Sequence, residues 1–80
     1  MGNRRSKPQR LAAKLLAIRK HLGLSQTKMA KLLKPDHADY RISEYEIGRR
    51  EPNLMLLLQY ARAANVSVES LIDDDLDLHF

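Results

Sequence analysis

Apolar residues recur along the chain at helical intervals, and no stretch alternates in the way a half-buried strand requires. Leu11, Leu15, Ile18 and Leu22 form one stripe of a helix predicted from about Pro8 or Gln9 to Leu22. Pro8 suits its first turn and Gly23 its left-handed stop. Lys14 and His21 lie off this stripe, and Arg19 borders it. Ser25 can cap a second helix with a Met29/Leu33 seam, where small Ala30 permits close approach by a neighbour. Lys34-Pro35-Asp36 ends it, because a residue preceding proline avoids helical angles. A third helix is expected from about His37 to Ile47, capped by Asp36. It turns Ala38, Ile42 and Tyr45 inward with Glu46 close beside them, and His37, Tyr40, Arg41 and Glu44 outward. Ser43 and Ile47 fall at the margin, and Gly48 stops the helix.

Asn53 caps a fourth helix reaching about Ala64, with Leu54, Leu57, Leu58 and Ala61 as its expected inner face. Met55 and Leu56 lie away from that seam. Asn65 tolerates the left-handed angles of a helix end, and Ser67 caps a short fifth helix with Val68, Leu71 and Ile72 inward. The tail Asp73–Phe80 alternates acidic and apolar residues and predicts no element. The expected class is therefore all-α: five short helices in one compact unit at residues 10–72, between a flexible basic arm at 1–9 and an acidic-apolar tail at 73–80.

Composition narrows the chemistry. Eighty residues with 44% hydrophobic content support one small domain, and its core must be aliphatic because there is one Phe and no Trp. Cysteine is absent, which excludes disulfides and thiolate metal sites. No apolar run approaches a bilayer span, so a cytoplasmic location is expected. Met1-Gly2 with Ser6 fits a myristoylation pattern, but no second membrane signal accompanies it. Residues 1–50 carry 13 Lys/Arg against 4 Asp/Glu, net +9; residues 51–80 carry Arg62 against six acids, net −5. A basic front suits a polyanion partner, and the arm with Arg4, Arg5, Lys7 and Arg10 can lie along phosphates or serve as a solubilising tail. His21, His37 and His79 share no metal-ligand spacing. No nucleophile–base pair or glycine-rich phosphate loop stands out, so neither an enzyme nor a cofactor is expected.

The series Leu15-x-x-Ile18-Arg19, Gly23-Leu24-Ser25-Gln26, Met29-Ala30-x-x-Leu33, Ile42-Ser43-x-Tyr45-Glu46-x-Gly48-x-Arg50-x-Pro52 and Val66-Ser67-Val68-x-x-Leu71 resembles, in order and spacing, the Cro/repressor (XRE-type) helix-turn-helix family. The resemblance covers about residues 10–72. It implies a lambda-repressor-like domain whose third helix enters the DNA major groove, the work of a bacterial or phage transcriptional regulator acting as a repressor, usually as a homodimer. Carried over by position, it makes Asp39, Tyr40, Arg41 and Glu44 base-reading residues. It makes Gln26 and Arg49 phosphate contacts, and Arg19 and Glu46 a structural ion pair. The outward face adds His37 to the base-reading candidates. Lys28, Arg50 and Ser43 join the phosphate-binding candidates.

Two departures from the family matter. Between Leu33 and Ile42 the chain has two residues more than the common pattern, somewhere in Lys34–Asp39, which leaves the start of the recognition helix open. The run Leu54-Met-Leu-Leu-Leu58 places Met55 and Leu56 where family members usually have polar groups. Met55 and Leu56, with Leu76, Leu78 and Phe80, form either a dimer contact or a patch covered by the tail folding over the fourth helix. That patch and the acidic tail also admit a different class of function, a protein-interaction module such as an antitoxin or polymerase-bridging partner.

Overall fold

The computed structural model describes residues 8–33 and 39–80. Every regular element among them is a helix: α1 Leu11–Leu22, α2 Gln26–Leu32, α3 Asp39–Glu46, α4 Leu54–Ala64 and α5 Val68–Ile72. The expected cap at Asp36, the inward Ala38 and the start of the third helix lie outside the described residues, as does most of the basic arm. Local chemistry sets the other boundaries. Ser25, Asn53 and Ser67 each accept a backbone N–H from the first turn of the helix they cap. Gly23 (φ 72°) and Asn65 (φ 58°) close α1 and α4 in the left-handed region.

The core is aliphatic with two tyrosines. Leu11, Leu15 and Ile18 of α1 meet Met29, Ala30 and Leu33, then Ile42 and Tyr45 of α3, Leu57, Tyr60 and Ala61 of α4, and Leu71. Leu22 and Val68 pack against this cluster while partly buried, and Ile72, the last residue of a five-residue helix, is exposed.

On α4 the observed face differs from the expected one. Leu56 is 4% exposed and belongs to the core, whereas Leu54 is 76% exposed. The cause is Tyr60, which the apolar pattern does not single out and which is fully buried. With it, the buried stripe runs Leu56, Leu57, Tyr60, Ala61, Ala64, rotated away from Leu54 at the helix mouth. Burial raises the Tyr60 phenol pKa well above its ordinary value, and its hydroxyl has no hydrogen-bond partner among the described residues.

The larger difference is the tail. Residues 73–80 return across α1, not α4. Lys14, off the apolar stripe, is only 4% exposed. Its Nζ donates to the carbonyls of Ser70 (2.7 Å), Asp73 (3.0 Å) and Leu76 (2.7 Å), which uses all three ammonium protons. Asp74 accepts from the backbone N–H groups of Gln9 (2.8 Å) and Arg10 (3.0 Å). It thereby holds the entry to α1, whose N-cap residue Arg10 offers no side-chain cap and whose first turn carries no acid. Helical geometry begins at Leu11, later than the start at Pro8 or Gln9 that the position of Pro8 suggests. Arg10 also reaches the carbonyls of Asp74 and Leu76 and pairs with Asp77 at 2.6 Å. Phe80 stacks on His21 with ring centroids 4.0 Å apart.

Candidate nucleic-acid interface

A lattice of polar contacts fixes α3 against α1 and α2. Arg19 Nε donates to Glu46 Oε2 at 2.6 Å and Arg19 Nη2 to Oε1 at 3.1 Å, a two-pronged pair. Arg19 Nη1 donates to the Leu24 carbonyl at 2.9 Å, on the way into α2. Gln26 Nε2 completes the group at 3.0 Å from Glu46 Oε1. The Glu46 side chain is 4% exposed and that of Arg19 15%, so the pair is nearly dry. The hydrogen bond to Glu46 raises the Arg19 pKa further, despite the opposing cost of burial. At the opposite end of α3, Thr27 Oγ1 donates to Asp39 Oδ2 at 3.0 Å. α3 is thus tied at both of its ends to the first turn of α2, with Ile42 and Tyr45 packed beneath.

With its inner face committed, α3 presents a short outer row. Tyr40 is 59% exposed. Arg41 is half-buried along its length, with its guanidinium 5.8 Å from the Tyr40 ring centroid, and the interaction with Tyr40 raises its pKa. Asp39 is exposed but engaged by Thr27, a contact that spacing does not reveal. Glu44 is not free either: Arg50 Nε donates to its Oε1 at 2.9 Å. Its carbonyl also accepts the N–H groups of Arg49 (3.0 Å) and Arg50 (3.3 Å), folding the basic turn back onto α3 through Gly48 at φ 80°. His37 lies outside the described residues.

Of the expected phosphate contacts, Lys28, Arg49 and Arg50 are exposed, while Gln26 and Ser43 are half-buried. Gln26 acts here as a brace on Glu46. The apolar residues expected to form one patch are dispersed. Met55 remains 65% exposed and, with Leu54 and Ile47, leaves apolar surface near the basic turn. Leu56 is withdrawn into the core, and the tail residues follow α1, with Leu78 packed on the core. Among the described residues, no group of His, Asp and Glu is arranged to hold a metal ion, and no helix is long and apolar enough to cross a membrane.

Two helices locked at a fixed angle, the second with an exposed polar face, form a helix-turn-helix. The helix-turn-helix family HTH_3, which is XRE-type, matches residues 15–71, and the chain belongs to it. Among solved structures it resembles the P22 c2 repressor protein in complex with a synthetic operator. The TM-score is 0.71 and the identity 28%, over 81% of this chain and 96% of that one. Comparison with curated proteins gives no match.

Proposed function

We propose that the protein is a sequence-specific double-stranded DNA-binding regulator, bacterial or phage-encoded and cytoplasmic, acting as a repressor. It inserts α3 into the major groove. The observation that carries this reading is the outer face of α3, with Tyr40 exposed and Arg41 half-buried against it, held beside a basic turn on a scaffold it has in common with an operator-bound repressor. Tyr40 and Arg41 read base edges, arginine to guanine being the commonest specific contact. Asp39 stands at the entering end of the helix. Lys28, Arg49, Arg50, Ser43 and the Gln26 amide face phosphates, which supply most of the affinity and set the register. Two copies on half-sites roughly 10 base pairs apart would extend the short footprint of one α3. Exposed Ile47, Leu54 and Met55 offer the apolar surface for such a pair.

Selection from random duplex DNA at near-physiological salt tests this. A palindromic consensus is expected, and Arg41→Ala should cost about 1–3 kcal/mol on that sequence while relaxing preference at one base pair. The exposed Leu54 and Met55 also favour a second reading, a protein-interaction module on the same scaffold. Failure to enrich any sequence, together with recovery of a tight protein partner, would support that reading instead.

A further inference from the structure

We propose that the Glu44–Arg50 ion pair is a specificity device, one that withholds the Arg50 charge from DNA of arbitrary sequence. The proposal rests on the DNA-binding reading and adds a function for the two residues as a unit. Three observations carry it. Glu44 Oε1 holds Arg50 Nε at 2.9 Å. The same residue's carbonyl holds the backbone N–H groups of Arg49 and Arg50, so the turn is anchored to Glu44 twice over. Finally, the Glu44 side chain is 26% exposed and that of Arg50 49%, so the carboxylate lies deeper than the guanidinium it neutralises.

A cation contributes to sequence-independent DNA affinity by displacing condensed counterions, and a cation already matched by a carboxylate displaces fewer. A carboxylate beside a phosphate-lined groove is itself repelled unless it finds a donor, and among base edges the cytosine amino group is the one it suits. On a random duplex the pair therefore stays closed and the turn binds with one less effective charge. On a site offering a donor to Glu44, the carboxylate transfers to the base and Arg50 is released to a phosphate. Discrimination thus arises partly by suppressing the wrong complexes.

The test measures binding of the full chain to the selected duplex and to a random-sequence duplex across a salt series. It compares wild type, Glu44→Ala, Arg50→Ala and the double variant, with thermal melting to confirm that each is folded. Glu44→Ala should bind the random duplex several-fold more tightly at low salt, with a log–log salt slope steeper by nearly one, and should lose affinity for the selected duplex. In the Arg50→Ala background the gain on random DNA should vanish. Persistence of the gain in that background would show general charge repulsion and overturn the proposal. A fall in random-duplex affinity with a shallower slope would also overturn it, making Glu44 a positioning residue for Arg50. Wild-type protein that binds neither duplex would remove the DNA-binding reading and this proposal with it. Any of the other unfavourable results leaves that reading intact.

Discussion

α1 is held by polar clasps at both ends, and the two are built differently. At its C-terminal end, Arg19 meets Glu46 in a nearly dry pair that Gln26 and the Leu24 carbonyl complete. At its N-terminal end, Lys14 is buried against three backbone carbonyls, and near the surface Asp77 pairs with Arg10 while Asp74 accepts the Gln9 and Arg10 amides just ahead of the helix. The first clasp joins side chain to side chain and sets the angle of α3. The second joins side chain to backbone and fastens the tail. Both satisfy groups that burial would otherwise leave unpaired, but only the first bears on the face proposed to read DNA.

The sharpest way to separate them is to break the first. Arg19→Ala leaves the Glu46 carboxylate without its ionic partner and should cost roughly 3–5 kcal/mol, measured by urea or thermal unfolding. An unchanged melting temperature would show that solvent replaces the arginine without penalty. The change should also lower affinity for the selected duplex more than stability alone accounts for, because α3 loses its brace.

Next in size is the buried lysine. Lys14→Met keeps the aliphatic stem but removes the ammonium that the Ser70, Asp73 and Leu76 carbonyls share, a loss of about 2–3 kcal/mol. Its effect on DNA affinity should be small, and that contrast with Arg19→Ala is what the comparison requires. Equal effects of the two changes on DNA affinity would mean that the tail clasp also positions α3.

The smallest expected effect is the most selective. The N–H groups of Gln9 and Arg10 hold the Asp74 carboxyl below its ordinary pKa of 3.8, and Arg10 does the same for Asp77. Because both folded values lie below the unfolded ones, the unfolded chain takes up these protons first as the solution is acidified. The stabilisation is complete above the ordinary value and is lost as pH falls through the folded values. Acid titration monitored by circular dichroism should therefore show stability declining below about pH 4. Asp74→Asn should remove part of that decline while leaving the neutral-pH helix content nearly intact. An unaltered acid profile would assign the decline to other carboxylates.

The first clasp was legible in the sequence because both partners are residue-type signals. Glu46 fell near the inward side of its helix, Arg19 bordered the apolar stripe, and the family resemblance matched the two. The caps Ser25, Asn53 and Ser67 and the stop at Gly23 were legible for a similar reason, since each is a local rule enacted within one turn. The second clasp had no such signature. Lys14 donates to carbonyls that every residue possesses, and its position off the stripe made it look solvated. Asp74 serves a helix 64 positions away, a relation that no local pattern encodes. The α4 face is not legible in the apolar pattern because Tyr60 carries a hydroxyl and adds little to a stripe dominated by leucines. The Glu44–Arg50 pair escaped notice because each residue already had a separate expected role. The charge asymmetry of the two halves is partly internal as well, since Arg10 and the tail acids neutralise one another.

The Asp74 contact also has a consequence for how the fold is acquired. The two amides it satisfies emerge from the ribosome 65 and 64 residues before it does. The entry to α1 is therefore completed late in synthesis, once the loop between them closes, even though its sequence is among the earliest to appear. The Gln9 and Arg10 amides should then exchange with solvent hydrogen sooner than those inside α1. They report the brief departures of the tail, whereas those near Arg19 report the opening of the whole bundle.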